Sequence, residues 1–130
     1  MNELTICTNR RSELVDITAA VREELSKLGR ADGVLTVFCP HTTAGLVINE
    51  HADPDVARDI ERRLDEIVPW DHPKDRHGEG NTAAHLKSAL VGTSVSVIVE
   101  NGRLQLGTWQ GIFFCEFDGP RTRNVWLAMA

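Results

Sequence analysis

The chain has 130 residues, of which 42% are hydrophobic and 25% charged, and its formal net charge is −5 at pH 7. This length and composition predict one folded domain over residues 1–130, because about 100–150 residues is the commonest domain size. We find no apolar run of the roughly 18 residues that a membrane helix needs, and no signal-peptide pattern. The acidic balance argues against general binding to nucleic acid or to anionic membranes, which requires a basic surface. We therefore expect a cytoplasmic protein.

The N-terminal part of the chain predicts two short strands, a helix and a central strand. Residues 3–6 and 14–17 have strand patterns. Thr18 is expected to cap a helix whose apolar residues recur at helical spacing, and Gly29 is expected to end it in a left-handed conformation. Residues 33–39 are a nearly continuous apolar run, which is typical of a buried strand at the centre of a sheet.

The middle of the chain predicts a further strand at residues 46–49 and a second helix. Asp53 is expected to cap this helix, with Pro54 in its first turn. Its helical spacing predicts a buried apolar stripe of Val56, Ile60, Leu64 and Ile67. The charged residues from Glu61 to Glu66 predict a solvated face of the same helix.

A third helix, from Asn81 or Thr82 to Gly92, precedes a C-terminal part made of strands. Asn101-Gly102 between two apolar runs is a strong hairpin signal, because both turn residues must tolerate positive φ. Residues 112–117 and 124–129 are expected to pair with each other as a second hairpin. The whole pattern predicts an α+β fold with seven or eight mostly antiparallel strands and three helices packed on one face.

Polar residues crowd three segments that these patterns do not require, at residues 40–45, 49–55 and 71–85. All five histidines of the chain lie between positions 41 and 85. His41 is the strongest candidate of the five, because it follows the end of a strand, where ligand-binding groups are common. His85 and His77 are further candidates. The two remaining histidines, His51 and His72, are interpreted as solvated.

Two candidates outside the histidines stand out. Glu50 has no evident structural duty, so it is the better candidate for a general base or a metal ligand, whereas Asp53 is needed as a helix cap. Gly107 and Gly111 interrupt the strand pattern around a large indole, and such glycines mark bulges or close backbone approach. We expect a bulge here that turns Gln110 toward a cavity.

Several motifs together make the chain similar to a known family. Residues 94–112 read S-x-x-V-x-V-x-x-G-x-x-x-x-G-T-W-Q-x-I, and the chain also carries P-H-T-T-A-G, I-N-E, D-P-D, A-H-L-K-S-A-L-V-G and D-G-P-R. With these motifs it resembles the YjbQ family over nearly its whole length. The resemblance implies a β-sandwich-like core with antiparallel or mixed sheets, about three helices packed outside, and a homotrimer with sites near subunit interfaces.

The family is described as secondary thiamine-phosphate synthases. Such an enzyme joins hydroxymethylpyrimidine diphosphate to thiazole phosphate and releases pyrophosphate, as a weak or secondary activity. The resemblance implies catalytic roles for Glu50, His85 and His41. It implies substrate-binding roles for Thr42, Thr43, Asn49, Asp53, Asn81, Gln110 and Arg121. Gly45 stands where a serine is common in the family, which is expected to remove one hydroxyl from the cavity.

The chemistry of this reaction leaves the question of a metal ion open. Departure of pyrophosphate requires cations or N–H donors, which Arg121, with Arg123, and the Thr42-Thr43 loop can supply. Glu50 and Asp53 have the oxygen ligands that magnesium prefers. A set of three imidazoles suits zinc instead, and the histidines concerned are His41, His77 and His85.

Two alternatives to the synthase follow from the same residues. The first is a metal-dependent, hydrolase-like enzyme that acts on another small phosphorylated metabolite, with the three histidines as ligands and Glu50 as base. The second is a non-catalytic trimer that binds a small molecule. All three hypotheses require the polar segments to meet in one cleft.

Overall fold

The computed structural model describes residues 1–130 as eight strands and three helices. The helices are α1 (Thr18–Lys27), α2 (Pro54–Ile67) and α3 (Thr82–Val91). The strands are β1 (Asn2–Cys7), β2 (Glu13–Asp16), β3 (Gly33–Phe38), β4 (Ala44–Glu50), β5 (Ser94–Glu100), β6 (Arg103–Leu104), β7 (Gln110–Glu116) and β8 (Thr122–Met129). The predicted α+β class and the predicted number of elements are confirmed. None of the three helices combines the length and the apolar character needed to cross a lipid bilayer.

The strands form two antiparallel sheets. One sheet has five strands in the order β1-β8-β3-β5-β6, and the other has three in the order β2-β7-β4. The apolar run of β3 lies at the centre of the larger sheet, as its sequence predicts. The expected second hairpin is wrong, because β7 pairs with β2 and β4 whereas β8 pairs with β1 and β3. The chain therefore passes from one sheet to the other between residues 117 and 121.

Two apolar clusters fill the space around the three-stranded sheet. The larger cluster lies between the two sheets and includes Val21 and Leu25 of α1. The smaller cluster lies on the opposite face of the three-stranded sheet, under α2 and α3. Side chains of β7 alternate between them, since Phe114 belongs to the first and Phe113 to the second. Burial on both faces explains the continuous apolar run of β7, and it places α1 apart from α2 and α3 rather than on one common face.

The face of helix α3 that carries its two leucines is exposed, and the opposite face is buried. Leu86 and Leu90 are 47% and 60% exposed, whereas Lys87 and Ser88 are buried. The hydroxyl of Ser88 donates to the carbonyl of Ala44 at 2.6 Å, which holds α3 against β4. The buried ammonium of Lys87 is neutralised by an ion pair with a carboxylate of α2.

Helix α2 also departs from its predicted faces. Its apolar stripe is only half-buried, and Ile67 at its end is 68% exposed. Two acids of the predicted solvated face make tertiary contacts. Asp65 is the partner of Lys87, and Glu61 accepts a hydrogen bond from the backbone N–H of Leu14 at 2.7 Å. These two carboxylates therefore anchor α2 to α3 and to β2.

Three local turn and cap signals of the sequence are confirmed, whereas the predicted cap at Thr18 is wrong, because Thr18 is the first residue of α1 and its hydroxyl donates to Asp16. Asn101 and Gly102 have φ values of 52° and 73° and close the hairpin between β5 and β6. The side chain of Asp53 accepts a hydrogen bond from the N–H of Asp55 at 2.9 Å and caps α2. Gly29 follows α1 with a φ of 70°. Each of these signals acts within a few residues, so it does not depend on the rest of the fold.

The close approach of β4 to the end of α3 makes the glycine at position 45 necessary. A Cβ atom there would lie 2.5 Å from the backbone carbonyl oxygen of Gly92, which cannot rotate away. We expect Gly45→Ala to lower the free energy of unfolding by about 1–3 kcal/mol, as overpacking of a core does. Gly78→Ala is the matched control, because nothing lies within 4 Å of its Cβ position. Urea denaturation measures both, and equal stability of the two variants would contradict the packing argument.

Candidate functional site

A cavity of about 440 Å³ opens where the β3–β4 loop, the start of α3 and the β7–β8 connection meet. No hydrophobic side chain lines it apart from a proline. Its lining residues are Pro40, His41, Thr42, Thr43, His77, Glu79, Asn81, His85, Asp118, Arg121 and Arg123. We call this space the polar cavity. Its size and polarity suit a small charged ligand rather than an apolar one.

Most of the lining residues are ones that the sequence singles out. They come from three separate parts of the chain, and they are His41, Thr42, Thr43, His77, Asn81, His85, Arg121 and Arg123. The β3–β4 loop, the region at the start of α3 and the region where β8 begins each contribute at least two of them. The tertiary structure thus joins two of the three polar segments of the sequence.

A buried ion pair between Glu116 and Arg123 forms the floor of this region. Both residues are at most 3% exposed, and the guanidinium Nε donates to both carboxylate oxygens of Glu116, at 2.9 and 3.2 Å. Thr8 donates its hydroxyl to the same carboxylate at 2.7 Å. The backbone N–H groups of Phe117 and Asp118 donate to it at 3.1 and 3.0 Å. The carboxylate is therefore fully paired although it is completely buried.

The ionised form of Glu116 is strongly favoured by these contacts. Burial alone raises the pKa of this carboxyl, but hydrogen bonds from Arg123, Thr8 and the Asp118 N–H outweigh it. The pKa of Glu116 consequently lies below its ordinary value of 4.5.

Arg123 links the ion pair to the cavity. Its Nη2 also donates to the hydroxyl of Thr43 at 2.9 Å and lies 3.3 Å from the Thr43 carbonyl oxygen. These contacts hold the guanidinium plane in one orientation. No hydrogen bond within the protein uses the remaining terminal nitrogen, Nη1. Since Arg123 lines the polar cavity, Nη1 is the donor that it leaves to a ligand.

His41 presents a defined tautomer. His41 Nε2 lies 2.9 Å from the backbone nitrogen of Asn124 and 3.2 Å from its carbonyl oxygen. We assign the lone pair to Nε2 and the proton to Nδ1, because the N–H contact is the shorter one and a proton on Nε2 would face the fixed backbone N–H. Burial and the charge of Arg123 lower the pKa of His41 below its ordinary value of 6.5. The imidazole is therefore neutral at pH 7 and offers an N–H donor at Nδ1.

Asp118 orients two further residues of the polar cavity. Its Oδ2 accepts hydrogen bonds from Asn81 Nδ2 at 2.8 Å and from Arg121 Nη2 at 3.1 Å. Arg121 Nε also donates to the backbone carbonyl of Asp118 at 2.9 Å. Arg121 is thereby held beside the cavity while part of its guanidinium remains exposed.

The three candidate metal ligands line one cavity but do not form a ready ligand set. The rings of His77 and His85 are 5.4 Å apart in an edge-to-face arrangement. The Nε2 lone pair of His41 is occupied by the Asn124 N–H. No three His, Cys, Asp or Glu side chains in the structure are grouped closely enough to hold a metal ion. We therefore derive no chemical step through a metal, and the predicted metal ion stays a prediction.

The predicted acids lie elsewhere. Glu50 and Asp53 line a second cavity of about 320 Å³ at the N-terminus of α2, and no histidine of the polar cavity borders it. Asn49 is exposed, and its side chain accepts a hydrogen bond from the Glu50 N–H at 2.7 Å. Gln110 accepts from the Gly107 N–H at 2.8 Å, which closes a turn instead of facing the polar cavity. Within one chain the three polar segments therefore do not meet in one cleft, because residues 40–43 precede strand β4 whereas Glu50 ends it, and the two ends of the strand border different cavities.

The second cavity contains a histidine that the sequence suggests is solvated. His51 Nδ1 lies 2.9 Å from Asp16 Oδ2, and Thr18 donates its hydroxyl to Asp16 Oδ1 at 2.6 Å. Burial alone raises the pKa of Asp16, but these partners outweigh it and the pKa lies below its ordinary value. A Cβ atom at Gly111 would overlap the ring of His51. The predicted close backbone approach is thus confirmed, and it accommodates His51.

Some residues of the site escape the sequence reasoning. Glu116, Asp118 and Glu79 are not among the predicted residues. Glu116 does leave a signal, since it is the one charged residue in the apolar run 112–117, and a buried charge requires a partner. Gly45 is not in the polar cavity at all but packs on Gly92, so the absence of a serine there removes no hydroxyl from the cavity.

Comparison with known proteins places this chain in a family. The family described as UPF0047 protein YjbQ-like matches residues 2–130. The chain belongs to the YjbQ family. It is 59% identical to UPF0047 protein YugU of Bacillus subtilis (strain 168) over 129 residues, which are 99% of this chain and 98% of that protein. It is also 49% identical to UPF0047 protein MJ1081 of Methanocaldococcus jannaschii over 94% of this chain and 88% of that protein.

Solved structures of YjbQ-type proteins have the same fold. A crystal structure of an uncharacterized conserved protein of this family from Clostridium acetobutylicum matches with a TM-score of 0.96 and 48% identity, over 100% of both chains. A conserved hypothetical protein from Thermus thermophilus matches with a TM-score of 0.93 and 46% identity, again over 100% of both chains. The sheet arrangement around the polar cavity is therefore a property of the YjbQ fold.

Loss of the carboxylate at Glu116 should destabilise the protein in a pH-dependent way. We expect Glu116→Gln to cost about 3–5 kcal/mol at pH 7, because it leaves the buried Arg123 without its counter-charge. The low native pKa means that the ionised carboxylate stabilises the fold above pH 4.5 and that this contribution is lost as the pH falls further.

The measurement is urea denaturation of both proteins at several pH values. The difference between wild type and Glu116→Gln should shrink below pH 4.5. Glu79→Gln, at an exposed carboxylate of the same cavity, is the control and should change stability by no more than about 0.5 kcal/mol. A constant difference across the acid range would count against the ion-pair argument.

The tautomer of His41 can be read by nitrogen-15 NMR of the imidazole. We expect the proton of the neutral ring on Nδ1 and a titration midpoint below 6.5, since burial and Arg123 disfavour the charged form. A proton on Nε2 would show that the Asn124 N–H does not orient the ring, and a midpoint above 6.5 would contradict the effect of burial and of Arg123 on the pKa of His41.

Proposed function

We propose that this YjbQ-family protein is an enzyme that binds a small phosphorylated metabolite in the polar cavity. The observation that carries the proposal is the convergence of donors there. Arg123 offers Nη1, Arg121 offers the exposed part of its guanidinium, and His41 offers its Nδ1–H. Guanidinium groups and N–H donors are the groups that bind phosphate oxygens in proteins.

The unused N–H donors of the polar cavity, rather than the charge of the chain, support a local anion site. The protein as a whole carries a net charge of −5, so it does not attract anions in general. In the polar cavity, Arg123 is neutralised by Glu116, and its Nη1 makes no hydrogen bond within the protein. Arg121 pairs with the Asp118 carboxylate through Nη2 and with the Asp118 carbonyl through Nε, so its Nη1 makes no hydrogen bond within the protein. A phosphate or diphosphate would complete this arrangement.

The family resemblance favours one reaction for such a site, the formation of thiamine phosphate. In this reaction the ring nitrogen of thiazole phosphate forms a bond to the methylene carbon of hydroxymethylpyrimidine diphosphate. The carbon–oxygen bond to the diphosphate breaks, and pyrophosphate leaves with the electron pair. Donors aimed at the leaving oxygens stabilise the charge that develops there. We assign that role to Arg121, Arg123 and His41, which line the polar cavity.

His85 is the residue that we assign to proton transfer. It stands in the first turns of α3, lines the polar cavity and contacts His77 edge to face. An imidazole in this place can donate a proton to the departing pyrophosphate. Histidine is the residue that most often acts as a general acid or base in enzymes. Glu50, the other predicted catalytic residue, lies in the second cavity and is not assigned a role in this step.

A homotrimer, which the resemblance implies, remains part of the proposal. Large apolar side chains are exposed on α2, on α3 and on the five-stranded sheet, namely Ile67, Leu86, Leu90, Val34 and Ile98. Exposed apolar residues of this kind are typical of surfaces that contact another chain. Sedimentation equilibrium of the purified protein, which measures its mass in solution, tests this part directly.

The reaction is tested by incubating the purified protein with the two phosphorylated precursors and measuring thiamine phosphate. We expect His85→Ala and Arg121→Gln each to reduce the rate by about 100-fold or more, because they remove a proton donor and a stabiliser of the leaving group. His72→Ala and Arg63→Gln are the matched controls. Both side chains are exposed and lie outside the polar cavity.

The outcomes separate the proposal from its alternatives. Equal product from wild type and His85→Ala, or no product from wild type, would contradict the synthase proposal. Metal analysis of protein purified without chelators accompanies the assay. Stoichiometric zinc that is lost in His41→Ala would favour the metal-dependent enzyme instead. Retention of a phosphorylated compound through purification, without turnover, would favour a binding protein.

A further inference from the structure

Asn81 occupies the capping position of α3 but does not cap the helix. Asparagine is among the best residues for this position, because its side-chain oxygen can accept a hydrogen bond from the first turn. Here the side chain makes no capping hydrogen bond. Its Nδ2 instead donates to Asp118 Oδ2 at 2.8 Å, although the residue is only 6% exposed. The amide of Asn81 is therefore oriented by Asp118 and not by the first turn of α3.

The orientation of this amide follows from its partner. Asp118 Oδ2 is a carboxylate oxygen that also accepts a hydrogen bond from Arg121, so it can only accept from Asn81 as well. The nitrogen of the amide must therefore face Asp118, and Oδ1 must point away from it. A rotation of the amide by half a turn about its bond would place two acceptors against each other.

The oxygen that results has no partner. Asn81 Oδ1 is the single buried side-chain nitrogen or oxygen atom in the structure without a hydrogen bond. Buried polar atoms are nearly always paired, and an unpaired one destabilises the fold. Asn81 lines the polar cavity, so a ligand bound in this cavity can bring a donor to it.

We infer that Asn81 selects the substrate of the polar cavity through a hydrogen bond that the substrate donates to Oδ1. The substrate is then a small phosphorylated molecule that also carries an O–H or N–H group, positioned to reach Asn81 while Arg121 and Arg123 hold its phosphate. This inference rests on the proposed function, because it takes the phosphate site as given. It adds the second recognition element and the class of substrate that satisfies it.

The contacts of Asp118 connect the hydrogen-bond acceptor of Asn81 with the phosphate-binding guanidinium of Arg121. Asp118 accepts from Asn81 and from Arg121 through one oxygen atom, so the donor-seeking oxygen and the phosphate-binding guanidinium are held at a fixed spacing. A site that leaves a buried polar atom unpaired discriminates strongly against ligands that lack the complementary group. Phosphate esters without a donor are therefore expected to bind more weakly than those with one.

The test measures binding of matched phosphate monoesters by isothermal titration calorimetry. The pairs are 2-hydroxyethyl phosphate with propyl phosphate, and 3-hydroxypropyl phosphate with butyl phosphate. Within each pair a hydroxyl replaces a methyl group of similar size. We expect wild type to bind at least one hydroxylated ester about tenfold more tightly than its partner. Asn81→Ala should bind both members of that pair equally.

A second variant distinguishes a loss of the Oδ1 acceptor from a loss of structure at the start of α3. Asn81→Ser keeps a side chain that can cap the helix but has no oxygen at the position of Oδ1. It should retain the thermal stability of wild type and still lose the discrimination. Discrimination that persists in both Asn81 variants, or that is absent from wild type while both esters bind, would overturn the inference and leave the phosphate site intact.

Failure of the proposed function has a different signature. Arg121→Gln should weaken the binding of all four esters, because it removes a phosphate contact that they share. If none of the esters binds to wild type, or if Arg121→Gln leaves their binding unchanged, the polar cavity is not a phosphate site. That result would overturn the proposed function together with the role of Asn81 that depends on it.

Discussion

The buried ion pair of Glu116 and Arg123 is the interaction on which the polar cavity depends. It joins the last residue of β7 to the second residue of β8, which belong to different sheets. The carboxylate is satisfied by five donor groups from four residues, and such a network stabilises one arrangement while any incomplete version of it is costly. By holding Thr43 as well, the pair sets where the β3–β4 loop lies relative to the β7–β8 connection.

The division of the polar residues between two cavities shapes the functional proposal. The polar cavity has fixed cations, a neutral histidine and an unpaired amide oxygen, which together suit a phosphorylated ligand with a hydrogen-bond donor. The second cavity has an imidazole oriented by Asp16 and a carboxylate at Glu50. A mechanism that joins Glu50 to His85 in one step finds no support in the geometry of a single chain. The chemistry is therefore assigned to the polar cavity alone.

The parts of the fold that depend on neighbouring residues were predictable. Asn101-Gly102 closes a hairpin because both residues accept positive φ, and Asp53 with Pro54 begins α2 because capping acts within one turn. The pairing of β7 was not predictable from its own residues. Its apolar run is compatible with many partners, and the choice between a local hairpin and two different sheets depends on packing on both of its faces.

The sequence alone determined the family, the class of fold and most of the residues of the polar cavity, because motifs and turn signals are local properties of the chain. The tertiary structure decided which of those residues meet. It buried Lys87 instead of Leu86, gave Glu116 a partner in another sheet, and sent Glu50 to a separate cavity. The reason is that a side chain's ionisation, tautomer and hydrogen-bond partners are set by residues that are close in space, and for His41 the partner Asn124 is more than eighty positions away along the chain.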